Sequence, residues 1–158
     1  MRITADTTVP MRSGPRPKVS PAPRRTDWPQ QEFTDNSPAE IQEKLFRRVA
    51  ALPDVTTGPS ITSVPGARGF FLDPTYFTAP MFSVNEFGHI HPEYDGSLHV
   101  MVSPALVRRI AVSGWGELHP RTDQVVMIYG PRDERELEIV FELVRVAYRY
   151  SRGEIHAD

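Results

Sequence analysis

The sequence predicts an α+β fold, a mostly antiparallel sheet with about three helices packed on one face, in a single domain. Three observations carry this. Three segments repeat apolar residues at helical spacing behind recognisable N-terminal caps. Several short runs rich in β-branched and aromatic residues lie between Pro, Gly and Asp turns. Strands and helices do not alternate as they do in a parallel sheet built from crossovers. At 158 residues the chain is long enough for one sizeable hydrophobic core.

Residues 1 to about 30 are rich in Pro, Arg, Ser and Thr and poor in large apolar groups. Such a segment cannot offset its own ordering entropy by burial, so the composition predicts a disordered tail. Deleting residues 1–28 should then leave stability nearly unchanged, with Trp28 and Phe33 packing back on the domain edge. The domain proper is expected over residues 37–152. Its first helix starts at Ser37-Pro38-Ala39-Glu40, with Ser37 as cap, Pro38 at the first helical position and Glu40 completing a capping box. Ile41, Leu45, Val49 and Leu52 form its apolar stripe, and Pro53 ends it. Ser60–Val64 and Arg68–Leu72 read as strands joined by the turn Pro65-Gly66-Ala67. The loop Asp73–Pro80 offers Tyr76 and Phe77 as walls for a pocket, and Met81–Val84 leads toward the next strand.

The second helix follows Ser103-Pro104, buries Leu106, Val107, Ile110 and Ala111, and stops at Gly114. Gln124–Tyr129 is too uniformly apolar for an edge and is placed centrally. The last helix is capped by Asp133, carries acids in its first turns and arginines near its end, and presents Leu137, Val140, Phe141, Val144, Ala147 and Tyr148 on one face. Residues 153–158, with His156, are expected to fray.

Composition removes several function classes. There are no cysteines, so disulfides, thiolate metal sites and Cys nucleophiles are excluded, and any metal must be held by His, carboxylate and water. No apolar run approaches the roughly 20 residues that cross a bilayer, and the first residues lack the apolar core of a secretory signal. A cytoplasmic protein without a membrane partner is the expectation. Residues 1–25 hold six Lys and Arg against one Asp, a charge of +5, so the remainder carries −2 − 5 = −7. A domain that acidic is a poor partner for nucleic-acid phosphates.

The histidines are concentrated. Of five, three lie in Glu86–His99 and a fourth, His119, in Gly114–Pro120. His89 and His91 are two apart, so an extended segment points both to one face. Pro92-Glu93-Tyr94-Asp95-Gly96 can fold the chain back and set His99 on a second strand opposite them. Imidazole is both the proton-transfer group suited to neutral pH and the commonest metal ligand. With Asp95, Glu93 and Glu117 nearby, proton chemistry, metal binding and simple backbone-satisfied polar residues all compete.

Four ordered motifs resemble a known family: Phe87-Gly88-His89-Ile90-His91, Asp95-Gly96-Ser97-Leu98-His99, Gly114-Trp115-Gly116-Glu117-Leu118-His119-Pro120 and Tyr129-Gly130-Pro131-Arg132-Asp133-Glu134. Pro59-Ser60-Ile61-Thr62-Ser63 is a fifth, upstream match. Over roughly residues 45–151 the chain is similar to the luciferase of bioluminescent fungi and its non-luminous bacterial relatives. The resemblance implies O₂-dependent oxidation of a small enolisable ring compound. The fungal enzyme acts on a hydroxylated α-pyrone through a proposed endoperoxide that loses CO₂, with no organic cofactor. The chain departs from the fungal pattern in its polar start, where the fungal protein has a membrane segment. It departs again at Tyr94, which replaces a His, and at Gly96, which replaces a Cys. A non-luminous member is therefore expected.

Carried onto this sequence, the resemblance marks His89, His91, Asp95, His99 and His119 as candidate catalytic residues. His89, His91 or His99 would act as base, with Asp95 orienting one imidazole. Arg132, between a strand and a helix N-terminus, would hold an oxyanion or carboxylate, or else pair with Glu134 or Glu136. Trp115 and Tyr129 would line an aromatic slot for substrate, or else belong to the core. His89, His91 and His99 are also the candidates for a metal, iron, copper or zinc, with His119 as a fourth ligand or a supporting group. The partners implied are a small-molecule substrate and O₂. A non-catalytic small-molecule binding or accessory protein, and a His-ligated metal enzyme of another reaction class, are the alternatives.

Overall fold

The structure, a computed structural model, describes residues 8–21, 30–75 and 85–155. The chain order is α1 (Ala39–Ala50), β1 (Val55–Pro59), β2 (Arg68–Leu72), β3 (Glu86–Ile90), β4 (Leu98–Met101), α2 (Pro104–Val112), β5 (Gly116–Leu118), β6 (Val125–Ile128) and α3 (Glu134–Ser151). The strands form one sheet in the order β1-β2-β3-β4-β6-β5, every neighbouring pair antiparallel. The α+β class expected from the sequence is the class observed. Among the described residues no helix is long and apolar enough to cross a membrane.

The two faces of the sheet differ in kind. Phe70, Ile90, Leu98, Val100, Val126 and Ile128 join Leu45, Val107, Ile110, Leu137, Val140 and Val144 of the three helices in one apolar cluster. The alternate residues, among them His89, His99 and Met127, which pair across β3, β4 and β6, stand on the opposite face. Among the described residues, that second face has no helix over it. Loops and the N-terminal segment cover it instead, and there the candidate site lies.

One irregularity decides what faces the site. Phe70 pairs with Gly88 and Phe71 with Glu86, which leaves Phe87 as an extra residue in β3. A bulge of this kind shifts the side-chain alternation by one. Phe87 therefore points into the helix-side core, against the rings of Phe70 and Tyr148. Glu86 and His89, three apart, meet on the other face, with Glu86 Oε1 2.9 Å from His89 Nδ1.

The hairpin turn is fixed from two sides. Asp95 and Gly96 N–H donate to the Pro92 carbonyl, and Gly96 adopts φ +75°, which only Gly takes readily. The Gln42 amide of α1 donates to the carbonyls of Ser37 and Glu93, tying the helix to the turn. A Cβ at Gly96 would stand 2.5 Å from that amide nitrogen.

Several expectations are corrected. Ser60–Val64 is not a strand; the pairing strand is β1, five residues earlier. The reason is Glu86, which takes hydrogen bonds from Ser60 Oγ, Ile61 N–H and Thr62 Oγ1 and bends that segment over the sheet. The Thr-Thr-Gly-Pro composition of β1 carried no apolar alternation to reveal it. Ser37 does not cap α1; the cap position is Pro38, and the Ser37 hydroxyl donates to the Pro131 carbonyl at 2.5 Å. The caps at Ser103 and Asp133 are formed as expected, accepting from Leu106 N–H and Glu136 N–H. β6 is interior to the sheet, and β5 is a three-residue edge strand too short to show in the sequence. Tyr76, Phe77 and Met81–Val84 lie outside the described residues, as do Trp28 and His156.

Residues 8–21, assigned by composition to a disordered tail, lie against the domain. Val9 is buried in the main core, and the Pro10 carbonyl accepts from the Trp115 indole N–H at 2.6 Å. Arg12 N–H donates to Ser113 O, the Arg12 guanidinium sits over the Tyr129 ring, and Val19 bridges Glu32. Phe33, expected to pack back, is exposed. The low apolar content of this segment was misleading, because a few well-placed contacts and backbone bonds anchor it. We predict that deleting residues 1–21 lowers the thermal midpoint by many degrees, since it opens the core at Val9 and strands the buried Trp115 donor.

Glu32 fastens the second N-terminal piece. Its Oε2 accepts from Gly130 N–H at 2.8 Å, while the buried Oε1 has no partner among the described residues. Burial raises its pKa to about 8, with Asp95 and Asp35 adding to the shift and Gly130 N–H and Arg12 opposing it. A carboxyl raised in the fold contributes most below its unfolded pKa, and that contribution is lost as pH rises toward 8. Glu32→Gln should therefore gain stability over the parent as pH rises from 5 to 8, by several degrees of thermal midpoint, with little difference at pH 5.

Candidate functional site

His89 on β3 and His99 on β4 are direct cross-strand partners, and His91 follows just past the end of β3. The alternation of the hairpin puts all three imidazoles on the face without helices, and all three are buried. His89 Nε2 lies 3.2 Å from His99 Nδ1, and His91 Nε2 lies 3.0 Å from the same atom. One ring nitrogen from each lies within 4.8 Å of the others. His119, from the loop after β5, stands edge-on to His99 with ring centroids 5.6 Å apart. The four histidines that the sequence singled out thus surround one place.

Each outward nitrogen is held. His89 Nδ1 faces Glu86, whose carboxylate also takes the Ser60, Ile61 and Thr62 bonds. His91 Nδ1 is 2.8 Å from Asp95 Oδ2. Asp95 Oδ1 in turn accepts from Ser97 N–H and the Ser97 hydroxyl. His99 Nε2 is 2.9 Å from Gln30 Oε1, and the Gln30 amide nitrogen donates to the Leu118 carbonyl at 3.0 Å. Asp95 Oδ2 thus sits against one imidazole of the cluster. Glu86 and Gln30 sit likewise against the other two.

The electrostatics follow from burial. Burial holds His99 well below the ordinary imidazole range, with His91, His89 and His119 adding to the effect. Burial also lowers His89, although Glu86 opposes it. His119 is pushed down to about 4 by burial and by nearby Arg121. Burial alone would raise Glu86 and Asp95, but their hydrogen bonds outweigh it and hold both below the usual carboxylate range.

A cavity of about 240 Å³ opens onto this cluster. Its floor is His89, His91 and His99; Thr62, Ser63 and Val64 form one wall, and Met101 and Val125 form an apolar side. His119, Pro120 and Arg121 stand at another wall. That combination of an apolar wall and a few convergent polar groups suits a small organic ring.

Three sequence candidates are not brought to this cavity. Arg132 pairs with the Glu136 carboxylate and donates to the Ser13 carbonyl, the ion-pair alternative. Trp115 is in the helix-side core with its N–H on Pro10. Tyr129 is buried and donates to Glu117, which is ion-paired with Arg16, in a separate cluster. Glu93 is exposed at the turn. Sequence reasoning missed Glu86, whose role depends on the bulge, and Gln30, which lay in the segment assigned to disorder. Ser97, Thr62 and Arg121 carried no signal as single polar residues.

Asp95 holds His91, the Ser97 hydroxyl and two backbone N–H groups, those of Ser97 and Glu32, whereas Ser97 Oγ serves only His91 and Asp95. Removing a buried acceptor strands every donor it served. Asp95→Ala should cost about 2–4 kcal/mol in urea denaturation and Ser97→Ala about 1 kcal/mol. Equal costs would mean that Asp95 does not organise the turn.

Comparison with known proteins bears on the same residues. Residues 84–147, from the His hairpin into α3, match the family model described as the luciferase domain. The luciferases of Neonothopanus nambi and Armillaria ostoyae are each 25% identical to this chain over 164 aligned positions, covering 90% of the chain. The chain spans about 60% of the length of those fungal proteins. A shorter match of 73 positions to the Armillaria mellea luciferase reaches 29% identity. No solved structure matches the chain. The domain match, centred on the histidine hairpin, and the fungal relatives together support a luciferase-domain family assignment.

Proposed function

We propose that the His cavity oxidises a small enolisable ring compound, hydroxypyrone-like in its chemistry, with O₂ as co-substrate and without light emission. The observation that carries this reading is the joining of an apolar-walled cavity to a buried cluster of imidazoles whose ring nitrogens converge on its floor. The fungal relatives are luciferases by name, and the matched region includes every imidazole of the cluster.

The chemistry asked of the site is limited. An enol is inert toward O₂ until its proton leaves, whereas the enolate is electron-rich enough to be oxidised. The inward nitrogens of His89, His91 and His99 meet the entering enol oxygen and draw off its proton. Burial makes that interaction stronger than it is in water. Arg121 at the wall favours the anionic form. His119 Nδ1 accepts from Arg121 N–H, so in the neutral ring Nε2 carries the proton and can donate to the substrate anion. The carboxylates of Glu86 and Asp95 hold two of the rings in place.

The test is O₂ uptake by untagged protein with a panel of hydroxypyrones and related enols, with photon counting in parallel. Substrate-dependent uptake without light is expected. His99→Ala, once shown to fold by circular dichroism, should lose roughly a hundredfold or more. His99→Ala turning over at the parent rate would place the chemistry elsewhere. Compounds that raise the thermal midpoint yet consume no O₂ would make this a binding module.

A further inference from the structure

We propose that His89, His91 and His99 are the ligands of a divalent first-row transition-metal ion, held in place by Glu86, Asp95 and Gln30. The hydrogen bonds around the cluster, taken outward from each ring, lead to this site. It deepens the oxidation reading, because with an ion bound these nitrogens would serve as its ligands and the ion would supply the positive charge that favours the substrate anion, but the binding site stands without that reading.

The proton positions are fixed by the partners. Glu86 and Asp95 accept, from Ser60 and Ile61 in one case and from Ser97 in the other, so His89 Nδ1 and His91 Nδ1 must be their donors. The Gln30 amide cannot be turned over, because its nitrogen donates to Leu118 O; its oxygen therefore faces His99, and His99 Nε2 is the donor. Each ring has spent its N–H on the outside. The remaining three nitrogens, His89 Nε2, His91 Nε2 and His99 Nδ1, present lone pairs to one another at contacts of 3.0 and 3.2 Å. Lone pairs gathered so closely repel unless a shared proton or a metal cation stands between them.

Charge and geometry agree. Among the described residues the ion-pair partners of Glu86 and Asp95 are His89 and His91, with no Lys or Arg on either carboxylate. Two buried negative charges stand behind the rings, and a divalent ion among the inward nitrogens balances them; a single shared proton supplies half as much. Ligand nitrogens on an ion with bonds of about 2.1 Å are spaced about 3.0–3.4 Å apart, which brackets both contacts of His99 Nδ1, while the full set lies within 4.8 Å and would draw together around the ion. Donation of the outer N–H to a carboxylate or carbonyl is the arrangement that fixes the tautomer of metal-bound imidazoles. The same three histidines line the cavity, so water or substrate there could reach an ion they hold. Three nitrogen ligands and no thiolate suit iron, copper, zinc or cobalt rather than calcium or magnesium.

The experiment uses full-length untagged protein, stripped with chelator and titrated with Co²⁺ while the visible absorption is recorded, then competed with Zn²⁺. Elemental analysis of the protein as purified runs alongside. Saturation at about one Co²⁺ per chain, displaced by Zn²⁺, is expected. His99→Ala should abolish the band, and Glu86→Gln and Asp95→Asn should weaken affinity about 10- to 100-fold. The conservative variants keep the test decisive if His99→Ala fails to fold. A parent protein that stays folded yet shows no Co²⁺ band, no Zn²⁺ thermal shift and no stoichiometric metal overturns the site. Substrate oxidation by such metal-free protein would overturn the metal alone and leave the oxidation reading intact. Stoichiometric metal with no O₂ uptake would do the reverse.

Discussion

The candidate site depends on one extra residue in one strand. Without the bulge at Phe87, alternation along β3 would send Glu86 to the helix side and leave His89 Nδ1 without its carboxylate. With it, Phe87 fills the core between Phe70 and Tyr148 while Glu86 reaches the opposite face. The same residue therefore serves packing and polar chemistry. Burying an unpaired carboxylate would be costly, and the four groups that bond Glu86 offset that cost. One of them is the backbone of Ile61, so the bulge also dictates where the loop after β1 must run.

Legibility from sequence followed the periodicity of each element. The helices over Ala39–Ala50, Pro104–Val112 and Glu134–Ser151 could be read because apolar spacing repeats across several turns. The His hairpin could be read because a two-residue spacing and a Pro-to-Gly turn leave little freedom in where His99 falls. β1 could not, since an exposed edge strand of Val-Thr-Thr-Gly-Pro needs no apolar face. The partners of the histidines were hidden for a different reason. Gln30 is 69 residues from His99, and nothing local in its surroundings announces a contact made across the molecule.

Arg132 shows the opposite error. Its position between a strand and a helix N-terminus is where an anion would be welcome, but Glu136, one turn into α3, supplies that anion from within the chain. Its guanidinium and backbone N–H both go to this one carboxylate. The position therefore serves the joint between β6 and α3. The cluster of Arg16, Glu117 and Tyr129 has the same character: it fastens the N-terminal segment to β5 and β6.

The amide of Gln42 has a mechanical consequence. By grasping the carbonyls of Ser37 and Glu93 together, it makes α1 a splint for the turn that carries Asp95. Asp95 sets the tilt of the His91 ring, so that tilt is transmitted through a helix whose other side rests on α3. The ring is thus indexed to the helix layer and not merely to its own strand. A substitution that slides α1 along α3 would be registered on the far side of the sheet as a rotation of one imidazole.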